Sequence, residues 1–258
     1  MRVLAAHVVA VETVVGDLVR VRLAAPPLAA AQPGQWIALR RPDSLSIVAH
    51  PFPLTALSPR EGGAEILYHE AEVARLAPWL RTLAAGSALD LLGPWGRPLP
   101  IASIARRAVL LGSGARLTGL LALARTLVEA GVLVVVLHDA PTTAQLLPPS
   151  LLPADAEYHV ATADGSAGVA GTVLDLVPDL LSWADSLYAA LPVEAYSPLR
   201  DLVHRHRLRP RRGFATVLMT APLACYAAAC DGCAVPLRDG GYGLLCKDGP
   251  AFDLLEVA

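Results

Sequence analysis

Apolar and polar positions alternate along roughly the first hundred residues of the chain. Short apolar runs with a period of two recur there between prolines and glycines, and each run fits a strand that buries one of its faces. In order, the runs are VLAAHVVAVETVV, LVRVRLAAP, WIALRRP, PLTALSP, AEILYHEA and ALDLLGP. Strands at this spacing predict an antiparallel barrel or sandwich over residues 1–100.

The rhythm changes over residues 101–213, where apolar runs alternate with helical stretches. A short run, AVLL, ends at Gly112 and precedes a helical stretch over 117–130. The later segments are the strands VLVVVLHD and AEYHVATA, a helix around Val173–Leu181, a strand near Ser186–Ala190 and a helix near Leu199–Arg207. Strands that alternate with helices predict βαβ units on a parallel sheet.

The composition narrows the class of protein. The chain has 258 residues, of which 54% are hydrophobic and 17% charged, as expected for a compact globular protein. A formal net charge of −2 gives no reason to expect nucleic acid or an anionic membrane as a partner. The first residues lack a signal-peptide pattern, and Arg125 and Glu129 interrupt the most apolar stretch, so we expect no membrane span and a cytoplasmic location.

All four cysteines lie in the last zone, residues 214–258, which begins with the strand-like FATVLM. Their spacing is Cys225-x4-Cys230-x2-Cys233-x12-Cys246, which matches the ligand pattern of plant-type [2Fe–2S] clusters. Three thiolates from one tight loop would wrap two irons, and a fourth from a later turn would close the cage. The small residues of the loop suit a backbone that passes close to a cluster. The sequence therefore predicts a single [2Fe–2S] cluster in a small C-terminal subdomain, and hence an electron-transfer protein.

Zinc, a Rieske centre and four inert thiols stay open as alternatives to this cluster. Structural zinc usually takes two close cysteine pairs, whereas here the first gap is wide and the fourth ligand stands alone. A Rieske centre needs two histidine ligands, and His204 and His206 lie upstream at the wrong spacing. Four inert buried cysteines would not explain the clustering. A disulfide framework is not expected in a cytoplasmic chain.

With this pattern behind a β-rich and an α/β zone, the chain resembles the electron-transfer subunits of type B dihydroorotate dehydrogenases, in the ferredoxin-reductase-like superfamily. The resemblance covers essentially the whole chain. Besides the four cysteines, its best-matching pieces are PGQW (33–36), GPWG (93–96), ATADGSAGVAGTV (161–173) and CKDGPAFD (246–253).

The resemblance implies a fold, cofactors and a partner. The fold would be an FAD-binding-type antiparallel β-barrel over 1–100, a Rossmann-like, NAD-binding-type α/β domain over 101–213 and the plant-type cluster subdomain over 214–258. The partner would be a dihydroorotate dehydrogenase catalytic subunit of pyrimidine biosynthesis, in a heterotetramer. Electrons would leave FMN in that partner, cross the [2Fe–2S] cluster, reach FAD in this subunit and end on NAD. Such a relay needs no acid or base, and no catalytic residue is predicted.

The flavin motif of the family is altered in this chain. Where the family has Arg-Pro-aromatic-Ser, the chain has the candidate FAD-binding residues His50, Pro51, Phe52 and Pro53. Histidine is mostly neutral at pH 7, so it is a weaker partner for the pyrophosphate than arginine. Pro53 has neither a hydroxyl nor an N–H for the flavin ring, and Ala74-Arg75 replaces a Gly-Thr pair. Alternatively, residues 49–55 are simply a barrel strand with two prolines.

The nicotinamide motifs are altered too. Gly112 and Gly114 suit a tight strand-to-helix turn that faces an anion, but Arg116 stands where the family has a further glycine. The family's Cys-Gly-Pro element appears as Ala190-Leu191-Pro192. Asp139 stands where a ribose-binding acid would lie, although a solvated strand-end carboxylate is the favoured interpretation. Asp-Gly turns are common, so local geometry alone would explain ADGSAG (163–168).

Two alternatives to the leading function follow from these changes. One is a wiring or structural subunit that keeps the cluster but has lost FAD and NAD; the other is a reductase subunit that serves another flavoprotein. The densest charge cluster is the basic run over 204–212. It fits a solvated helix C-terminus or, alternatively, a docking surface for an acidic partner.

Overall fold

The structure is a computed structural model, and it describes residues 3–40, 50–58, 62–73, 75–101, 105–221, 223–225 and 228–258. The chain folds into two compact units, and each is built from several segments. The first unit comprises 1–98, 220–235 and 243–250, and the second comprises 99–219, 236–242 and 251–258. The residues after 219 are thus shared between the units. The division of the chain at 100 and 213 stays a prediction.

The first unit contains an antiparallel sheet of seven strands with the order β4-β3-β7-β1-β2-β6-β5. Each predicted apolar run supplies one strand, because its alternate side chains turn toward the core. The elements are β1 (Val3–Val15), β2 (Leu18–Ala24), β3 (Trp36–Arg40), β4 (Pro51–Pro53), β5 (Ala56–Ser58), β6 (Gly63–His69), the helix α1 (Ala77–Leu80) and β7 (Ala88–Trp95). The antiparallel prediction is confirmed, whereas closure of the sheet into a barrel stays a prediction.

The second unit contains a seven-stranded sheet with helices, as the alternating pattern predicted. The elements of the remaining chain are β8 (Arg107–Ser113), α2 (Thr118–Glu129), β9 (Leu133–Ala140), β10 (Glu157–Thr162), β11 (Val169–Ala170), α3 (Val173–Leu176), β12 (Ser186–Ala190), α4 (Tyr196–His206), β13 (Ala215–Leu218), β14 (Ala234–Pro236), β15 (Tyr242–Leu244) and β16 (Ala251–Asp253). Strands β14 and β15 form a separate two-stranded sheet. Single 3-10 turns lie at Pro26–Ala30, Gly114–Leu117, Thr143–Gln145, Pro149–Leu151, Pro178–Leu180 and Val193–Ala195.

The strand order of this sheet is β11-β10-β9-β8-β12-β13-β16. All its pairs are parallel except β13 with β16. The chain runs outward from β8 through β9 and β10, and then returns to place β12 on the other side of β8. In open α/β sheets of this kind, ligands bind at the carboxyl ends of the strands where the order reverses. In this sheet the order reverses at β8 and β12, whose carboxyl ends lie side by side.

One predicted helix is shorter in the structure than in the sequence pattern. The helix expected around 173–181 ends at Leu176 and is followed by a 3-10 turn that begins at Pro178. Proline has no N–H to continue the α-helical ladder, which explains the break. The helix begins with a capping box between Thr172 and Asp175. Over the described residues, no helix has both the length and the apolar character needed to cross a bilayer.

Candidate functional site

The four cysteines all belong to the first unit. Cys225, Cys230 and Cys233 precede β14, and Cys246 lies in the turn after β15. None of them forms a disulfide. The Leu245 N–H donates to the Cys233 carbonyl at 3.1 Å, so the two cysteine-bearing segments are joined through their backbones.

The thiols of Cys233 and Cys225 lie near that of Cys246 and raise its pKa. Cys233 is buried, and Cys225 and Cys246 are half-buried. The pKa of the Cys246 thiol is raised to about 11, mainly because the thiol is removed from solvent. A hydrogen bond with the Cys233 thiol and the nearby charges of Cys233 and Cys225 raise the pKa further. A hydrogen bond from the Ala228 N–H acts in the opposite direction. Cys246 is therefore protonated at neutral pH, and binding of a metal must displace that proton.

The backbone on both sides of Cys230 adopts a left-handed conformation. Ala228 and Asp231 lie on either side of Cys230 and have φ values of 54° and 49°. This left-handed conformation costs a residue with a side chain about 1–2 kcal/mol. Left-handed residues within such loops turn backbone N–H groups into a concave surface that suits sulfur or phosphate anions. The loop thus has the form expected for wrapping an anionic cluster.

The fit to a [2Fe–2S] cluster rests on donor chemistry and loop form. Cys230 is exposed, and across the described ranges no three His, Cys, Asp or Glu side chains are grouped as a metal ion requires. Four thiols are nevertheless the donor set that iron–sulfur clusters take. The Cys246 thiol hydrogen-bonds to the Cys233 thiol and also receives the Ala228 N–H. The residues present therefore fit the group, and the four ligands remain a prediction.

The segment after Cys246 packs on two of the motifs that carry the resemblance. The Gln35 side chain donates from Nε2 to the Gly96 carbonyl at 3.0 Å, which joins PGQW to GPWG. A Cβ on Gly96 would lie 2.5 Å from Pro250 Cδ, so only glycine allows this approach. The ring centroids of Trp36 and Trp95 are 6.2 Å apart. The structure therefore places both motifs beside the cysteine turn.

The altered flavin motif forms an edge strand of the sheet. Pro51, Phe52 and Pro53 make up β4, which pairs with β3, and binding of FAD by this segment stays a prediction. Phe52 is buried in the core, and its ring centroid lies 4.9 Å from that of His50. Burial lowers the pKa of His50. The imidazole is therefore neutral at pH 7 and offers no charge to a pyrophosphate.

The other predicted flavin contact is described only in part. Ala74 lies outside the described residues, and Arg75 is exposed.

The glycine-rich turn lies at the carboxyl end of β8, beside the end of β12. A Cβ on Gly112 would lie 2.4 Å from the Cβ of Leu117, so the close packing of Leu117 requires glycine at this position. Gly114 has a φ of 53° and open space around it. Arg116 is exposed. The predicted tight turn is confirmed, while its role in holding NAD stays a prediction.

Asp139 corrects one expectation. The side chain is buried rather than solvated, with 8% exposure. Its Oδ2 accepts the Val173 N–H at 2.8 Å, at the first residue of α3. The carboxylate stabilises this helix start, because an acidic group there accepts a free backbone N–H. The favoured interpretation as a solvated strand-end acid was wrong.

The ADGSAG turn is explained by local bonds. Asp164 Oδ1 accepts the Ser166 N–H at 3.0 Å and also the Ser166 hydroxyl. These bonds lower the pKa of Asp164. A Cβ on Gly168 would lie 1.9 Å from the Val160 carbonyl oxygen, so glycine is required there. Local geometry therefore accounts for this sequence, as the simpler interpretation predicted.

Two residues near the strand ends escaped the sequence analysis. His138 is fully buried; its Nδ1 lies 2.7 Å from the Tyr158 hydroxyl and its Nε2 lies 3.0 Å from the Gly114 carbonyl. Tyr196 accepts the Leu191 N–H at 3.1 Å and donates to the Leu218 carbonyl. The only signal was a polar residue within each apolar pattern, which does not reveal its distant partners.

The basic run begins in the last turn of α4, which ends at His206, and continues beyond the helix. Arg207 turns inward: its guanidinium donates to the Leu181 and Ala184 carbonyls and lies 4.0 Å from the centre of the Phe214 ring. Arg212 pairs with Glu256. Most other residues of the run are exposed, so the solvated helix end is confirmed. Docking to a partner stays a prediction.

Comparison with known proteins identifies clear relatives. The dihydroorotate dehydrogenase B (NAD(+)) electron transfer subunit of Bacillus caldolyticus is 32% identical to the chain over 231 residues, covering 88% of the chain and 86% of that protein. The corresponding subunit of Streptococcus pneumoniae is 29% identical over 253 residues, covering 95% and 94%. No protein family model matches the chain.

Solved structures share the fold. A chain from the NADH-dependent reduced ferredoxin-NADP oxidoreductase superposes with a TM-score of 0.82 at 23% identity, covering 98% of this chain and 89% of that one. The ferredoxin reductase of carbazole 1,9a-dioxygenase gives a TM-score of 0.66 at 24% identity, covering 81% and 67%. The architecture is therefore ferredoxin-reductase-like, with a sheet domain and an α/β domain.

Proposed function

Because the chain belongs to the family of dihydroorotate dehydrogenase B electron transfer subunits, we propose that it carries electrons between a dihydroorotate dehydrogenase catalytic subunit and NAD. Its place would be in pyrimidine biosynthesis, within a complex of the two subunits. The chain spans most of the length of its relatives, so the proposal concerns the whole subunit. The observation that carries it is the hydrogen bond between the Cys246 and Cys233 thiols in the first unit, with Cys225 near enough to affect the pKa of Cys246.

In this proposal Cys225, Cys230, Cys233 and Cys246 hold the iron. When bound, a [2Fe–2S] cluster supplies one-electron chemistry and FAD exchanges either one or two electrons. The chain contributes the thiolates, the bent loop around Cys230, and the Ala228 N–H that donates to Cys246. Hydrogen bonds of this kind to ligand sulfur tune the potential of iron–sulfur sites.

The flavin would lie against β4, where few polar side chains are available to bind it. Neutral His50 supplies at most a hydrogen bond to the pyrophosphate, because its pKa is lowered by burial. Pro53 supplies no donor. We therefore propose that FAD is retained mainly through apolar contacts and backbone groups. The nicotinamide dinucleotide would approach the turn at Gly112 and Gly114, where α2 starts behind a short 3-10 turn.

A second candidate function is a subunit that holds the cluster but neither nucleotide. It is favoured by neutral His50, by Pro53, and by Arg116 in place of a glycine. In that case the chain would connect a flavoprotein partner to another acceptor. A third candidate, a reductase subunit for a different flavoprotein, would share the same cluster site and differ in partner.

The test is reconstitution with the dihydroorotate dehydrogenase catalytic subunit from the same genome. We expect the purified complex to reduce NAD when dihydroorotate is added. The variant Cys246→Ser should abolish NAD reduction, while dihydroorotate oxidation by an artificial dye continues at the catalytic subunit. If the complex with the unmutated chain reduces the dye but not NAD, the cluster-only candidate would be supported. Failure to form any complex would overturn the choice of partner.

A further inference from the structure

The turn that carries Cys246 is fastened to the end of β7 by one acidic side chain. Asp248 Oδ2 accepts the Leu244 N–H at 3.0 Å, which closes the turn around Cys246. Its other oxygen, Oδ1, lies 3.3 Å from the Arg97 guanidinium nitrogen. Asp248 thus contacts both the cysteine turn and the residue that follows GPWG.

Backbone contacts reinforce the same junction. The Arg97 N–H donates to the Gly249 carbonyl at 2.7 Å. Gly96 and Pro250 approach so closely that no Cβ fits between them. Within the turn, the N–H groups of Lys247, Asp248 and Gly249 all donate to the Leu244 carbonyl. The turn is therefore stabilised by hydrogen bonds within itself and by bonds to the end of β7. Asp248 takes part in both, through the Leu244 N–H and through Arg97.

The junction continues to the flavin-type strand. Gln35 donates to the Gly96 carbonyl through its side chain. Its own carbonyl accepts the Leu54 N–H at 3.2 Å, just after β4. A short series of hydrogen bonds and packed contacts thus runs from β4 through Gln35 and Gly96 to the Cys246 turn.

We propose that Asp248 and Arg97 are positioning residues, which fix the Cys246 ligand relative to the flavin-type sheet. The inference rests on the proposed function, because the junction has this role only if Cys246 binds a cluster. Neither side chain is a proposed ligand of the iron. Asp248 acts through the Leu244 N–H, which holds the turn that carries Cys246, and Arg97 acts through Asp248. Groups that orient a metal ligand in this indirect way influence the affinity of the site for metal.

The experiment uses the full chain purified anaerobically with its iron, and measures release of iron to an excess of bathophenanthroline. We expect Asp248→Ala to accelerate release about tenfold, which corresponds to the loss of one hydrogen bond that holds the Cys246 turn. Asp248→Asn keeps an oxygen for the Leu244 N–H and should restore most of the slow rate. Arg97→Ala should give a smaller acceleration, because it leaves the turn closed but loosens it from β7.

The matched control is Asp239→Ala. Asp239 also accepts a backbone N–H, that of Gly241 at 2.9 Å, in a nearby hairpin, and we expect its loss to leave iron release unchanged. The electron paramagnetic resonance spectrum of the reduced protein supplies a second readout. It should change in Asp248→Ala and recover in Asp248→Asn, which a purely structural role would not produce.

The outcomes separate the two levels of the proposal. If the natural chain holds no iron, the proposed function fails and the inference falls with it. If the natural chain holds iron, but Asp248→Ala and Arg97→Ala release it at the natural rate with an unchanged spectrum, the positioning role alone is wrong. If Asp248→Ala does not fold, Arg97→Ala and Asp248→Asn decide the question, since Arg97 is largely exposed.

Discussion

His50 is the residue at which this chain departs most clearly from its family in charge. The resemblance places an arginine there, and arginine is always charged and matches phosphate with two parallel bonds. Burial beside Phe52 lowers the pKa of His50, so the natural residue is neutral at pH 7. At the position where the resemblance implies a charged arginine, the chain therefore has an uncharged side chain at pH 7.

We predict that His50→Arg strengthens FAD binding about tenfold, which corresponds to one charge-assisted hydrogen bond of about 1.4 kcal/mol. Equilibrium titration of the flavin-free chain with FAD measures this. The control is His50→Gln, which keeps a hydrogen-bonding side chain without charge and should match the natural affinity. An equal affinity in all three proteins would show that residue 50 does not contact the pyrophosphate.

The same residue predicts the pH dependence of FAD binding. Because the folded pKa of His50 lies below the ordinary value of 6.5, the imidazole stays neutral until the pH falls below that value. We expect the affinity of the natural chain for FAD to be constant from pH 8 to pH 7 and to rise as the imidazole becomes protonated in more acidic solution. His50→Gln should lack this rise when titrated in the same buffers.

The residues that the sequence could identify are those whose evidence is local. The cysteine pattern spans 22 positions, and its spacing alone indicates the ligand type. His138 and Tyr196 were missed because their partners, Gly114 and Leu218, lie 24 and 22 positions away and belong to other elements. Asp139 was placed correctly at a strand end, but its burial depends on where α3 begins.

At the scale of elements, the sequence pattern located the strands well. The run VLAAHVVAVETVV coincides with β1, and the strand near Ser186–Ala190 coincides with β12, because apolar periodicity and flanking turn residues bound them. The order of strands in each sheet was beyond the sequence, since pairing depends on contacts between distant segments. The split of the helix at Pro178 shows a local rule overriding a longer pattern.

The turn after β8 offers a direct test of the two glycines. Gly112→Ala places a methyl 2.4 Å from Leu117, and crowding of this kind costs about 1–3 kcal/mol of unfolding free energy. A methyl at Gly114→Ala meets open space, and the only cost is that of its φ of 53°, about 1–2 kcal/mol. We therefore expect the larger loss from Gly112→Ala in urea unfolding. A larger loss from Gly114→Ala would contradict the packing of this turn.

At the scale of the whole molecule, the basic run presents mostly exposed side chains, although Arg207 and Arg212 bond to other parts of the chain. If it docks an acidic partner, replacing Arg205, Arg209 and Arg211 with serine should weaken the complex with the catalytic subunit about tenfold and reduce its salt dependence. Surface plasmon resonance at two ionic strengths measures both. An unchanged affinity would leave the run as a solvated helix end.

The family membership and the fold agree at this scale. The sequence relatives cover most of the chain, and a solved ferredoxin-reductase-like structure superposes on nearly all of it. Sequence reasoning reached the same family through the cysteines and short motifs. It could not foresee that the segments after residue 219 are divided between the two units, since that division arises from long-range packing.

A [2Fe–2S] cluster held by the four cysteines is best tested by the visible absorption spectrum of the anaerobically purified chain, recorded before and after dithionite. We expect broad charge-transfer absorbance that bleaches on reduction and is lost in Cys246→Ser. A chain with no such absorbance, and with zinc in place of iron, would contradict it.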